Sequence, residues 1–147
     1  MTYNEWLDLI EQVKNHNRNF DYLNKMKESM QNSNINEILE PKLIELVTEK
    51  TTKALKRILN NLNEIFKNPN SLTLSIRNLE KDKNYIFELC HLKQIKQETQ
   101  IKLINTINEE INNVYNILKK KSLEIDKTGM YKRMIEKMIN KGDKNEI

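Results

Sequence analysis

The scarcity of helix-breaking residues constrains this chain more than any other feature of its sequence. Only two glycines and two prolines occur in 147 residues, and apolar residues recur at helical spacing in the long stretches between them. A chain without such interruptions and without a sustained alternating pattern has few alternatives to long helices. The sequence therefore predicts an all-α fold, an antiparallel bundle of about four long helices with a short basic amphipathic C-terminal helix.

Helix start and stop signals place the first two long helices. Thr2 and Glu5 have the spacing of a capping box, in which each side chain accepts a hydrogen bond from the backbone N–H of the other residue. They predict a first helix that runs to about Gln31. The second long helix is predicted over residues 42–66, and a loop signal at residues 68–71 ends it. Before it, Asn34 and Glu37 have the pattern of a helix start, and Pro41 stands either in a short kink or in the first turn of a restarted helix.

The pattern over residues 72–125 is too long for one helix of a compact bundle. In its first part, residues 72–76, apolar and polar residues alternate as in a short strand. Because a single strand has no partner, we prefer an extended or helical segment that leads into the following helix. A continuous helix over 72–125 would be roughly 80 Å long, against roughly 37 Å for the helix over 42–66. We expect either a break near residues 97–100, which we prefer, or a second protomer that covers the excess length.

Charge is divided unevenly along the chain. The formal net charge of +4 lies entirely in residues 119–147, which hold nine basic and five acidic side chains, while residues 1–118 hold 16 of each. In the same basic segment, apolar residues line one helical face and Gly142 is placed to end the helix. We predict two parts, a helical bundle over residues 1–126 and a basic C-terminal helix and tail over residues 127–147.

The sequence shows no sign of secretion or of membrane insertion. Cys90 is the single cysteine, so no disulfide can form within the chain. The first residues lack the basic and apolar blocks of a signal peptide, and the longest apolar run has three residues, against about 20 needed to cross a bilayer. We expect a cytoplasmic protein without membrane contact.

Few residues are suited to catalysis. Gly129 and Gly142 are too far apart for a glycine loop that binds a dinucleotide or a phosphate. Glu88 and His91 have the Glu-x-x-His spacing of a di-iron site, but a second such motif is missing, because a valine stands three residues before His16, the other histidine. We expect no enzyme, no cofactor and no metal site; a metalloprotein built on Glu88 and His91 is a remote alternative.

The basic C-terminal helix has three main interpretations. Its apolar face can pack on the chain's own bundle, as amphipathic helices usually do. It can instead bind a groove on another protein, for which methionine is an adaptable contact. In the third interpretation, its cations neutralise the phosphates of a nucleic acid. A helix lying on a membrane surface is a weaker fourth option, because the apolar face is short.

Taken together, these features predict a non-enzymatic interaction module of adaptor, chaperone-like or regulatory type that binds a protein and forms a homodimer. The residues predicted to contact the protein are apolar: Tyr131, Met134, Ile135, Met138, Ile104, Ile107, Ile111 and Val114. Nucleic-acid binding is the alternative function. Its predicted contacts are cationic: Lys119, Lys120, Lys121, Lys127, Lys132, Arg133, Lys137 and Lys141.

Overall fold

The protein is helical throughout the part of the chain that the structure describes. The computed structural model describes residues 2–16, 20–31 and 36–145, with side chains over 2–16, 20–29 and 39–139. Helix accounts for 87% of the described residues, and no strand occurs among them. The predicted all-α class is confirmed. A strand at residues 72–76 is excluded, because these residues lie inside a helix.

Seven helices follow one another in the described ranges. Their bounds are α1 Tyr3–Asn15, α2 Phe20–Gln31, α3 Asn36–Leu59, α4 Leu62–Ile65, α5 Pro69–Cys90, α6 Gln97–Ile125 and α7 Met130–Asn145. The last of these continues beyond Gly142, so the prediction that this glycine ends the C-terminal helix is wrong. A single glycine inside a helix costs only about 1 kcal/mol relative to alanine, which the surrounding residues can offset.

The first predicted helix is divided into α1 and α2. The capping box is confirmed, with the Glu5 N–H donating to Thr2 Oγ1 at 3.2 Å and the Thr2 N–H donating to Glu5 Oε2 at 2.8 Å. The prediction of one helix to Gln31 is wrong, because α1 ends at Asn15 and His16 is extended. Asparagine forms helices poorly, and the asparagine-rich stretch that begins at Asn15 is where the helix stops.

The second predicted helix is part of a longer helix that includes Pro41, as the first of the two interpretations of this proline expects, and it ends earlier than the sequence indicated. The predicted cap residue Asn34 lies outside the described residues. α3 starts at Asn36 and stops at Leu59, before the short helix α4. The Asn61 side chain explains the stop, because its Nδ2 donates to the Arg57 carbonyl oxygen at 2.8 Å. An asparagine amide that binds a terminal carbonyl competes with continuation of the helix.

The break expected near residues 97–100 lies at residues 91–96, directly before that position. The Gln100 side chain spans this connection, since its Nε2 donates to the carbonyl oxygens of Leu92 at 3.1 Å and Ile95 at 3.0 Å. The Lys96 N–H donates to Glu40 Oε2 at 2.7 Å. Polar side chains thus satisfy backbone groups that the break leaves without helical partners.

The helices divide into two compact units that alternate along the chain. Unit 1 comprises Met1–Lys53 and Lys81–Ile107, and unit 2 comprises Ala54–Glu80 and Asn108–Ile147. Helices α3, α5 and α6 therefore each contribute residues to both units, whereas α7 belongs to unit 2 alone. The predicted boundary between residues 126 and 127 stays a prediction.

Unit 1 is built around large buried side chains from α1, α2, α3 and α5. Trp6 and Tyr85 are the largest of them, and the Phe20 ring meets the Tyr85 ring edge-on at 5.1 Å. Helices α1 and α2 pack against each other. Cys90 is fully buried, and burial raises the pKa of its thiol to about 12. This thiol is therefore protonated at neutral pH and is a poor nucleophile.

Unit 2 has its own buried core, to which α5 and α6 contribute most. The buried apolar residues of this unit are Ala54, Ile58, Ile65, Phe66, Leu72, Ile76, Leu79, Ile111, Val114, Tyr115, Leu118 and Ile135. Tyr115 is anchored at its polar end, because its hydroxyl donates to the Glu80 carboxylate. On α6 the buried positions 111, 114, 115 and 118 form one face at helical spacing, which fixes the side of the helix that is turned inward.

A tight turn joins α6 to α7. Asp126 Oδ1 accepts hydrogen bonds from the Thr128 N–H at 3.0 Å and the Thr128 hydroxyl at 2.7 Å. The hydrogen bond from the Thr128 side chain is the main reason that the pKa of Asp126 is lowered, assisted by backbone N–H groups and by Arg133. Gly129 completes the turn with a backbone φ of 80°, a conformation that residues with a side chain rarely adopt.

We predict that the two glycines respond oppositely to alanine. Gly129→Ala should lower the free energy of unfolding by about 1 kcal/mol, because alanine is strained at positive φ. Gly142→Ala, the matched control inside α7, should leave that free energy unchanged or raise it by up to about 1 kcal/mol, because alanine favours helix. Urea unfolding monitored by circular dichroism measures both. A loss of stability at residue 142 equal to that at residue 129 would contradict the turn described here.

Candidate interaction surface on unit 2

Three residues predicted to contact a protein partner are buried by this chain itself. Ile107, Ile111 and Val114 each expose 3% of their surface or less, and Ile104 is half-buried. Ile107 belongs to unit 1, whereas Ile111 and Val114 belong to unit 2. Their apolar pattern therefore has a sufficient explanation in the core of the chain.

The apolar face of α7 is largely covered as well. Ile135 is fully buried, and Tyr131, Met134 and Met138 are half-buried. The Tyr131 ring packs edge-on against the Phe66 ring, with 6.1 Å between the ring centroids. This packing agrees with the interpretation in which the C-terminal helix uses its apolar face inside its own unit.

Three of the predicted cationic contacts are bound to neighbours within unit 2. Lys121 pairs with Glu124 at 3.5 Å, Lys132 pairs with Glu136 at 3.7 Å, and Arg133 Nη1 donates to the Thr128 carbonyl oxygen at 3.1 Å. The two ion pairs join residues three or four positions apart on one helix and are partly exposed to solvent. Such pairs contribute at most about 1 kcal/mol, so a partner carboxylate or phosphate can replace them.

Four further predicted cations form no ion pair with any carboxylate among the described side chains: Lys119, Lys120, Lys127 and Lys137. Lys119 is half-buried and the other three are exposed. The side chain of Lys141 lies outside the described residues. Unit 2 thus presents positive charge that its own described carboxylates do not neutralise.

Large apolar side chains are exposed in the same segment of the chain as these cations. Leu123, Ile125 and Met130 expose 41–47% of their surface at the end of α6 and the start of α7, and Lys127 lies in the turn between them. With Lys120, these residues define what we call the α6–α7 surface. The sequence indicated Met130 as one of the methionines suited to a protein groove. It did not indicate Leu123 or Ile125 as contacts, although Ile125 continues the apolar row that contains Leu118 seven residues earlier.

A cleft of about 450 Å³ lies beside α6, at the connection between α3 and α4. Its lining residues are Leu59, Asn60, Asn61, Leu62, Asn63, Glu64 and Lys121. We call it the α3–α4 cleft. Lys121 stands one helical turn before Ile125 on the same side of α6, because residues four apart are neighbours on a helix surface. One lining residue of the cleft, Lys121, is therefore a helical neighbour of Ile125, an apolar residue of the α6–α7 surface.

The residues of the metalloprotein alternative have other partners. Lys27 Nζ lies 2.5 Å from Glu88 Oε2, and His91 Nδ1 lies 2.6 Å from the Phe87 carbonyl oxygen. Among the described side chains, no three His, Cys, Asp or Glu residues are grouped so that they could hold a metal ion. No described helix is both long and apolar enough to span a bilayer.

Comparison with known proteins gives no functional assignment, so a function must be argued from the residues of the chain itself. The chain matches no known protein family, no curated protein and no solved structure. The features that distinguish its surface are the exposed apolar residues and unneutralised cations of unit 2. Any functional assignment must explain why these residues are exposed in one segment of the chain.

We predict that Val114 supports folding rather than contact with a partner. Val114→Asp should lower the free energy of unfolding by at least about 3 kcal/mol or prevent folding, because it places an unpaired carboxylate in an apolar core. Ile117→Asp is the matched control three residues later, at an exposed position of α6, and should change stability by less than about 1 kcal/mol. Thermal and urea unfolding measure both variants. Near-wild-type stability of the Val114 variant would contradict its assignment to the core.

Proposed function

We propose that this chain is a non-enzymatic interaction module that binds a protein partner through the α6–α7 surface. One observation carries the proposal: the end of α6 and the start of α7 hold three exposed apolar side chains, Leu123, Ile125 and Met130, in the same segment as Lys120 and Lys127, which pair with no described carboxylate. A surface of this kind is complementary to a partner that offers both apolar side chains and carboxylates. Charged groups of that type steer encounter and set specificity, while the apolar contacts supply affinity.

The free energies that these side chains can contribute favour a protein over a nucleic acid as the partner. Complete burial of a leucine, isoleucine or methionine side chain contributes about 1.5–3 kcal/mol, so covering the exposed part of one such residue here contributes roughly 1 kcal/mol. Three such residues then contribute more than exposed ion pairs, which typically give 0 to about 1 kcal/mol each. Contacts to phosphate do not bury apolar side chains of this kind, whereas the core of a protein interface does.

Nucleic-acid binding is the second candidate function. Its support is the group of four cations without described carboxylate partners, within a segment that carries all of the excess positive charge. Arginine, the usual reader of base edges, occurs only four times in the chain. The single aromatic residue of the C-terminal helix, Tyr131, is half-buried and packs against Phe66, which limits its use for base stacking.

The states of the potential catalytic residues support a non-enzymatic role. Cys90 is buried with a raised thiol pKa. Nδ1 of His16 lies 2.9 Å from the Gln12 carbonyl oxygen, and His91 makes the same type of contact with its own helix. The thiol is thus kept protonated, and Nδ1 of each histidine is placed against a carbonyl oxygen of its own helix. The proposal also includes three predictions: the long helices, about four in number, pack antiparallel, the protein forms a homodimer, and it is located in the cytoplasm.

A site-specific photo-crosslinker tests the proposed surface. Benzoylphenylalanine at position 125 of the full-length chain, irradiated in extract of the source organism, should give a discrete protein adduct. The matched control is the same substitution at Leu74, which lies in unit 2 and exposes 59% of its surface on α5. Adducts of equal yield at both positions, or none at position 125, would contradict the proposal. An adduct at position 125 that nuclease removes would assign the second candidate function.

A further inference from the structure

A polar row of side chains runs along the solvent-facing side of α6 within unit 2. Its members are Glu109, Asn113, Asn116 and Lys120, which are all exposed and follow one another at intervals of four, three and four residues. Steps of three and four residues place side chains in one row along a helix. We call this row the α6 stripe, and it faces away from the buried side of α6.

The α6 stripe is complementary to itself. Its spacing reads the same in both directions, with a carboxylate at one end, an ammonium group at the other and two carboxamides between them. A second α6 that runs in the opposite direction therefore offers Lys120 to Glu109, Glu109 to Lys120, and Asn116 to Asn113. A two-fold interface has this property, because each residue contacts a residue of the other copy that contacts it in return.

The charges at the two ends of the stripe are not used inside the chain. Neither Glu109 nor Lys120 forms an ion pair with any described side chain, and the same holds for their neighbours Glu110 and Lys119. Residues 111–118, which lie between the two ends, include no charged residue. This part of α6 therefore has an acidic end and a basic end, about 16 Å apart along the helix. Antiparallel pairing with a second copy brings each end opposite its counter-charge.

The same side chains select one direction and one register for such a pair. A parallel pair in register would place Glu109 against Glu109 and Lys120 against Lys120, and like charges in an interface are unfavourable. At the centre, the carboxamides of Asn113 and Asn116 can each donate and accept a hydrogen bond, so they can bind one another. Asparagine in the contact row of a helix pair is known to fix its register.

We propose that the α6 stripe forms the homodimer interface, by antiparallel packing on the α6 stripe of a second copy of this chain. Glu109 of each copy pairs with Lys120 of the other, and the asparagines meet between these pairs. Ile117 exposes 42% of its surface beside the stripe and adds one apolar side chain from each copy. The inference rests on the homodimer included in the proposed function and names the surface that forms it.

This dimer leaves apolar residues of the α6–α7 surface available. Lys120 belongs to both surfaces, whereas Ile125 and Met130 lie beyond the end of the stripe. The ion pairs of the dimer are close to solvent, so each is weak and is screened by salt. The dimer therefore dissociates more readily as the salt concentration rises.

Sedimentation of the full-length protein over a range of concentrations measures the dissociation constant of the dimer. Glu109→Lys and Lys120→Glu should each weaken the dimer at least about tenfold, because each variant sets like charges against one another. An equimolar mixture of the two variants should restore the dissociation constant to within about threefold of the wild-type value. In the mixed dimer, the new lysine of one variant faces the new glutamate of the other, and the second contact keeps its native pair.

The matched controls are Glu64→Lys and Lys67→Glu, the same charge reversals at exposed residues of unit 2 outside α6. Each should change the dissociation constant less than about twofold, and mixing them should have no further effect, because neither residue lies in the stripe. Circular dichroism confirms that all four variants are folded.

Two results would overturn the inference. The first is a wild-type protein that stays monomeric at every concentration. The second is a dimer that Glu109→Lys and Lys120→Glu do not weaken, or that their mixture does not restore, because the contact would then lie on another face. The crosslink at residue 125 reports separately on partner binding. An adduct with another protein there, together with either of these results, would leave partner binding standing and remove only the stripe as the dimer interface.

Discussion

The inward-facing side of α6 is the constraint on which unit 2 depends. Ile111, Val114, Tyr115 and Leu118 lie on that side, and each exposes 3% of its surface or less. Burial of each side chain contributes about 1.5–3 kcal/mol, which is far more than any surface contact of the same helix. Because successive residues are rotated by about 100°, this burial also fixes where every other side chain of the helix is directed.

The proposed interaction surface follows from that rotation and from the end of the helix. Lys120 and Leu123 are exposed because they stand away from the buried side of α6. Ile125 continues the buried row but is exposed, since α6 ends there and the Asp126 turn leads into α7. On α7, Ile135 is buried and Tyr131 packs against Phe66, so the apolar face is turned inward and Lys137 stays at the surface. Lys127 is exposed in the turn before α7.

The sequence predicts those parts of the fold that depend on local chemistry or strong periodicity. The hydrogen bonds of Thr2 and Glu5 require only residues three positions apart, and the apolar rows of α6 span several turns. The residues from Asn15 onward are recognisable as poor helix formers, but neither this break nor the one at Asn61 was predicted, because asparagine disfavours helix by only a few tenths of a kcal/mol and tertiary packing decides the outcome. Asparagine is also spread over the whole chain, with 22 copies, so its presence alone does not single out a break.

The proposed interaction surface was harder to predict from the sequence for a related physical reason. Periodicity identifies which side of a helix is apolar, but it does not show whether the same chain or another chain covers that side. Ile111, Val114 and Ile125 are equivalent in pattern, yet the first two are buried and the third is exposed. The α3–α4 cleft brings residues 59–64 together with Lys121, a proximity of residues almost 60 positions apart that no local pattern contains.

The measurement that tests the central claim most directly is fluorescence anisotropy of labelled mixed-sequence DNA and RNA, titrated with the full-length protein at roughly 50 and 200 mM salt. Phosphate-driven binding weakens steeply over this range. If the exposed end of α6 serves a protein partner, we expect no saturable binding at the higher salt, and only weak binding at the lower salt that is the same for DNA and RNA. Saturable binding at about 200 mM salt, lost when Lys119, Lys120, Lys127 and Lys137 are changed to alanine, would contradict a protein partner as the main ligand.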